Sequence, residues 1–410
     1  MTERAPAAPA ARPAVAFVLL TTMIDSMGIS LILPVMPALL REISGITLAD
    51  AALYGGVLTT IFALMQFVFG PAVGALSDRY GRRPVMLIAL FVMAADYLVM
   101  ALAQAYWLLF VGRMIGGVTA ATQAVASAFM ADTSAPEERA ARFGLIGAAF
   151  GFGFVLGPPI GGFLAEFGTR APFYAAAALV AANMVFGYFV MPETVTDATR
   201  RPITWARANP LGAFRHVTRQ PQLRGLLILL FFYNVAFMVY PAIWAFFTEA
   251  RFGWEPRMIG YSLGSFGVAM AFVQGWFIRR ILGWLGEWGT VVYGLTFNIF
   301  AFLVLALVTN GTLAMLLTPL TALGAVVTPA VQGIMSRATS ADAQGELQGV
   351  VSSTAALATV VSPLIMAQVF AVFTRDGAAV FLPGAPFLVS MALMFVCFAV
   401  LWRVPRAAPA

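Results

Sequence analysis

The sequence predicts an all-α membrane protein of twelve transmembrane helices, arranged as two six-helix bundles related by pseudo-two-fold symmetry. Three observations carry that expectation. The 410 residues are 61% hydrophobic and only 10% charged, with a mean hydropathy of +0.89, which excludes a soluble globule with a polar exterior. Polar punctuation leaves twelve apolar runs, each near the roughly 20 residues that a bilayer crossing requires. A segment rich in Pro, Arg and Thr separates those runs six and six.

The expected spans are 14–38, 52–76, 85–103, 107–131, 143–165, 172–191, 224–248, 258–279, 289–308, 312–335, 347–370 and 385–403. They give an N-terminal bundle over 1–191, a cytoplasmic linker over 192–223 and a C-terminal bundle over 224–410. The first run is too long for a cleavable signal and continues through Asp25. Within the linker, LGAFRHVTRQ is basic and partly amphipathic, a pattern suited to an anionic inner leaflet.

Arginine distribution orients the threading. All 24 basic residues are arginine. Arg79, Arg82, Arg83, Arg279, Arg280, Arg337 and the linker arginines fall on one side, whereas the opposite loops hold only Arg41, Arg170, Arg251, Arg257 and Arg375. Cytoplasmic loops collect arginine, so both termini and the linker are expected inside. The net charge of +6 is then topological, and nucleic acid is not expected as a partner. Cys397 is the only cysteine and His216 the only histidine. No internal disulfide can form, and no metal site is expected.

The two halves echo each other. Gln66 and Gly81 recur 208 residues later as Gln274 and Gly289, while Gly144 and Pro158 recur 205 later as Gly349 and Pro363. Near-constant spacing implies a duplicated six-helix unit, and transporters built from repeats bind substrate near the midplane at the repeat interface. The first turn, GALSDRYGRRP over 74–84, carries Gly74, Asp78, Gly81, Arg82 and Arg83 between two spans. Its counterpart RRILGWLGEWG reads as a degenerate copy.

GALSDRYGRRP resembles the signature of the major facilitator superfamily between its second and third helices. VGRMIGG, with Arg113 and Gly117, is similar to that superfamily's proton-transfer motif, and GFGFVLGPPIGG to the motif of its antiporter branch. IDSMGISLILPVMP, DYLVMALA, MADTS, FTEARFGW and PAVQGIMS resemble the tetracycline/proton antiporters over essentially the whole chain. The resemblance implies the major facilitator fold and a proton-coupled transporter.

Site residues follow from burial cost and from that resemblance. Asp25 lies near the centre of the first span, where an ionised side chain costs about 2.5–3.5 kcal/mol on insertion scales. Burial disfavours a carboxylate and a nearby cation favours it, so helix movement can load or release a proton there. Arg113, the other proton-coupling residue, is the expected partner of Asp25, and the resemblance implies that it tunes a carboxylate's proton affinity. Asp96 matches an aspartate of the tetracycline antiporters. It can meet a cationic substrate group or cap a helix. Gln66, Gln123, Asn234, Gln274, Asn298 and Gln332 also lie within spans and are candidates to line the substrate cavity, although intramembrane amides commonly hold helices together. Asn298 departs from the resemblance, which places an acid in the ninth span. An amide cannot exchange a proton.

Gating is expected at two places. Asp78 is suited to cap the amino end of the eleventh span, near Glu346, when the inner gate is closed. Gly157, Pro158, Gly161 and Gly162 permit close helix approach and a bend in the fifth span. The aromatic seventh span, with Phe231, Phe232, Tyr233, Tyr240, Trp244, Phe246 and Phe247, offers flat faces with polar edges that suit planar amphipathic drugs, although most of its rings are expected to face lipid or the interfacial belt.

The resemblance and the site together imply proton-driven efflux of an amphipathic, tetracycline-like drug from a bacterial inner membrane by a monomer. Protons and the small-molecule substrate are the expected partners, and no cofactor is expected. The substrate arrives free or as a Mg chelate. The drive is about 2.3 kcal/mol per charge per 100 mV, plus the pH gradient. Proton-coupled carriage of another small metabolite is the alternative, because fold does not fix direction. A membrane transferase would need a membrane-edge histidine or an acid cluster. The sole histidine lies in the linker.

Overall fold

A computed structural model describes residues 12–120, 122–135, 138–197, 200, 221–340 and 343–405. His216 and most of the linker, including LGAFRHVTRQ, lie outside the described residues. Those described form only helices and their connections. The first half holds α1 (Arg12–Leu31), α2 (Met36–Ser44), α3 (Leu48–Tyr80), α4 (Arg82–Leu102), α5 (Tyr106–Thr119), α6 (Thr122–Thr133), α7 (Arg139–Leu164) and α8 (Ala171–Val190). The second holds α9 (Pro221–Phe237), α10 (Val239–Phe252), α11 (Pro256–Phe272), α12 (Ile278–Leu307), α13 (Gly311–Thr321), α14 (Val327–Arg337), α15 (Gln344–Thr374) and α16 (Ala385–Arg403).

Eleven stretches among these residues are long and apolar enough to cross a membrane. One of them, Pro256–Leu307, is 52 residues long, and as a continuous helix it would reach about 78 Å. It is broken at Gly286, where φ is 64° and ψ is −177°, and so makes two crossings. The expected twelve spans are all present. Several spans are themselves interrupted, for reasons legible in their prolines. Pro34 lies in the 3-10 turn Leu33–Val35 between α1 and α2. Pro241 follows the break at Met238 between α9 and α10, and a proline ring clashes with the carbonyl four residues before it.

Close contact clusters the chain into two units: Met1–Val35 with Leu64–Asn209, and Met36–Ala63 with Pro210–Ala410. In the first, α1 lies tightly against α7. A Cβ at Gly153 would meet Met23 and Ser26, one at Gly157 would meet Ser30, and one at Gly161 would meet the Leu31 backbone. Ser26 Oγ donates to the Phe150 carbonyl at 2.7 Å across the same contact. The small side chains therefore serve backbone approach. Asn183 Nδ2 donates to Thr21 Oγ1 at 2.9 Å and ties α8 to α1.

The second unit is organised around aromatic rings, contrary to the expectation that the seventh span turns most of them to lipid. Tyr233, Tyr240, Trp244, Phe246 and Phe247 are buried, Trp244 to 1% exposure, while Phe231 and Phe232 are half-buried. Tyr240 stacks on Phe266 with ring centroids 5.0 Å apart, and Phe247 meets Phe387 edge-on at 4.9 Å. Trp244 Nε1–H donates to Ser262 Oγ at 2.8 Å, which satisfies the one polar atom that burial would otherwise strand.

Residues 36–63 belong with this second unit. Arg41 forms an ion pair with Glu249, and Asp50 with Arg375 at 3.2 Å. A Cβ on Gly56 would come 2.7 Å from the Ala367 side chain and 3.0 Å from the Pro363 carbonyl. The sequence register of the second turn is also corrected. Gly289 lies within the α12 range. Gly286 has the positive φ and stands 205 residues after Gly81, matching the offset of Gly144 and Pro158 from their counterparts.

Candidate transport machinery

Asp25, on α1, is 7% exposed and accepts a hydrogen bond from Thr122 Oγ1 at 2.6 Å. Thr122 is the first residue of α6, just after the break in the fourth span, so the break carries this hydroxyl to the acid. A hydroxyl donates to a carboxylate and accepts from a carboxylic acid. The contact therefore suits both protonation states. No ion pair involving Asp25 is found among the described residues.

Arg113, on α5, is ion-paired with Asp96 on α4, which corrects the expected pairing with Asp25. The pair is deeply held, with Asp96 5% and Arg113 8% exposed. The physical reason is the absence of a side chain at Gly112, beside which the Asp96 carboxylate lies. A Cβ there would stand 2.7 Å from Asp96 Oδ1. Tyr97 follows Asp96, and its ring lies against Gly28 of α1. Its hydroxyl is within electrostatic reach of Arg113, Asp25 and Asp96. The first unit thus gathers two acids and one base, and the base is ion-paired with Asp96.

The amides divide. Gln66 and Gln123 are exposed, and Gln66 Nε2 donates to the Ala120 carbonyl at 2.9 Å, at the break of the fourth span. Asn234 and Gln332 are half-buried. Gln274 is exposed and lies in a π-helical turn, Val273–Phe277. Asn298 is 0% exposed, and its Nδ2 donates to the carbonyls of Gly294 at 2.7 Å and Gly324 at 2.8 Å. It pins α12 to the break between α13 and α14. The expectation that Asn298 lines a substrate cavity is therefore corrected: its donors are spent on backbone.

The charged turn is a dense local network. Arg82 is ion-paired with Asp78 at 2.5 Å and with Asp132 at 3.1 Å, and it donates to Ser77 Oγ at 2.6 Å. Asp78 thus has a partner within its own turn. The helix start expected near Glu346 falls at Gln344. Arg83 donates to the Tyr188 carbonyl at 2.5 Å and stacks on the Tyr188 ring. Gly81 has φ 114°, a conformation essentially reserved to glycine. Gly74 has open space where its Cβ would be, so packing does not require it. Gly157, Pro158, Gly161 and Gly162 are buried in α7, and Gly157 and Gly161 lie where α7 meets α1.

Sequence reasoning missed Glu193, Thr122 and the role of Asp132. Glu193 accepts from the backbone amides of Arg82 at 2.8 Å and Arg83 at 3.2 Å, capping α4, and from Thr194 and Val195 at 2.9 Å each. The carboxylate occupies the place that a Gly81 side chain would need. No local pattern marks a cap supplied from more than a hundred residues away. Thr122 carried a signal that could have been read: a hydroxyl residue amid small residues in the fourth span.

Comparison with known proteins agrees with this architecture. The sequence profile of the Major Facilitator Superfamily matches residues 18–363. The chain is 38% identical to the class C tetracycline resistance protein of Escherichia coli, covering 93% of this chain and 95% of that one. It is 36% identical to the class D tetracycline resistance protein of Salmonella ordonez, covering 97% and 98%. The crystal structure of the human organic anion transporter MFSD10 (TETRAN) superposes with a TM-score of 0.69 at 27% identity, covering 95% of this chain and 99% of that one. Twelve crossings, the charged turn and these relatives agree: the chain belongs to the Major Facilitator Superfamily, in the group that holds the tetracycline resistance proteins.

Proposed function

We propose that this protein is a proton-coupled antiporter that exports an amphipathic, tetracycline-like compound across the bacterial inner membrane by alternating access. It acts as a monomer with both termini cytoplasmic. The proton gradient is the sole energy source, with no resident metal, nucleotide or enzymatic step. The observation that carries the reading is the division of labour between the two acids. Asp96 is neutralised by Arg113, while Asp25 has an alcohol beside it. An unpaired charge at that depth costs about 2.5–3.5 kcal/mol, so Asp25 is the acid whose proton occupancy responds to a change of surroundings. Loaded from outside and discharged inward, it returns an anionic site for the next substrate.

Asn298 cannot share that duty. Coupling runs through Asp25 alone, and the buried amide favours a second reading in which the cargo is a small compound other than a Mg-chelated tetracycline. In everted vesicles with an imposed proton gradient, a transported substrate should dissipate the acidification, and Asp25→Asn should abolish the response while insertion stays intact. The panel should contain tetracyclines with and without Mg²⁺, other amphipathic drugs and organic anions. A panel in which no compound evokes proton release sinks the export reading.

A further inference from the structure

The turn after the eighth span repeats the construction of the first turn with its charges exchanged. Gly81, at φ 114°, precedes Arg82, which reaches Asp132 near the end of α6. Gly286, at φ 64°, precedes Glu287, which is ion-paired with Arg337 at the end of α14. Residues 82 and 287 are 205 apart, and so are 132 and 337. That is also the interval from Gly144 to Gly349 and from Pro158 to Pro363. One register therefore superimposes both glycines and both members of each pair. Acid and base have changed places while the pairing persists.

A second observation shows that the position is built. A Cβ on Gly333, one turn before Arg337 on α14, would stand 2.7 Å from Glu287 Oε1, whereas the equivalent position in the first half is Ala128. Residues four apart share a helix face, so Gly333 clears the surface on which Glu287 lies and Arg337 closes over it. The first pair has further partners in Asp78 and Ser77. The matching positions in the second half are Gly283 and Leu282, which offer no charge or hydroxyl.

We propose that Glu287 and Arg337 are positioning residues, the second of two inner-end clamps, equivalent in role to Arg82 and Asp132 and reversed in polarity. Each clamp joins the start of one helix to the inner end of the next, so that the hairpin moves as one piece during transport. The inference borrows the export reading only for its transport assay.

Glu287→Gln, Arg337→Gln and the exchange E287R/R337E test it. A partly exposed pair is worth up to about 1 kcal/mol, or about fivefold. Each single variant should lose about that factor in maximal transport rate with KM unchanged, and the exchanged pair should regain it, because Gly283 and Leu282 put no charge where Asp78 and Ser77 stand in the first turn. Hydrogen–deuterium exchange of the purified full-length protein supplies a readout that needs no substrate. Amides just after Gly286 and at the end of α14 should exchange about fivefold faster in the single variants and return to parental rates in the exchanged one. Parental exchange in both single variants, or an exchanged pair as defective as either single in a folded protein, would overturn the clamp. A clean exchange result without transport of any panel compound would leave the clamp standing and remove the export reading.

Discussion

Asp96 and Arg113 each make the other's charge tolerable, and dissecting them tests whether Arg113 is committed to Asp96. Asp96→Asn leaves a guanidinium that is 8% exposed with its ion-pair partner gone, at a cost of about 2.5–3.5 kcal/mol for an uncompensated charge at mid-bilayer. Arg113→Gln leaves an acid, which has an escape. Protonating a carboxyl of ordinary acidity costs about 4 kcal/mol at pH 7 and about 1.5 kcal/mol at pH 5. At pH 7 both single variants should therefore lose a similar amount. At pH 5 the deficit of Arg113→Gln should fall to about 1.5 kcal/mol, while that of Asp96→Asn persists because guanidinium does not release its proton. The double variant carries neither charge, so its deficit should fall well short of the two single deficits combined. Unfolding of the purified protein in detergent at the two pH values measures all of these. Additive losses in the Asp96/Arg113 cycle, with strong coupling instead in an Asp25/Arg113 cycle, would refute the assignment.

Thr122→Val removes the hydroxyl beside Asp25; a hydrogen bond to a charged group exceeds one to a neutral group by about 1 kcal/mol, so the pH profile of transport should move by somewhat less than about one unit, and an unmoved profile would dismiss Thr122 as a partner in coupling. Gly161→Ala would drive a methyl into the Leu31 backbone and should cost about 1–3 kcal/mol, whereas Gly74→Ala enters open space and should leave stability unchanged or slightly raised; equal melting behaviour of the two variants would discredit the close approach of α1 and α7. Asn298→Asp sets a carboxylate against the Gly294 and Gly324 carbonyls in place of a donor, so it should destabilise by about 2.5–3.5 kcal/mol and confer no Mg-dependent export; a stable variant that gains such export would reverse the reading of Asn298.

The hydropathy pattern carried the twelve crossings, and the family signatures carried the architecture, because both are local properties of the chain. Pairing was less legible. Asp25, Asp96 and Arg113 stood out as costly intramembrane charges, yet nothing in their spacing says that Gly112 clears room for Asp96. The seventh span misled because composition does not reveal which face is covered, and its rings close on Phe266, Phe302 and Phe387 from distant helices. Asn298 reads in sequence as a cavity amide, but both its donors go to backbone carbonyls. The second turn looked degenerate because its shared element is an ion pair whose polarity is inverted, and a motif read residue by residue cannot show that.

Among the described residues, α3 is the one helix divided between the two compact units: Leu48–Ala63 belongs to the second and Leu64–Tyr80 to the first. Its 33 residues correspond to about 50 Å of rod, anchored at one extremity through Asp50 to Arg375 and ending at the other beside Asp78 and Arg82. A tug on the Asp50 end is thereby delivered to the Asp78 end through covalent bonds, with Pro71 as the joint that sets how much of the stroke arrives. Stiffening or loosening that single joint should tune how faithfully one end hears the other, with every charged residue left in place.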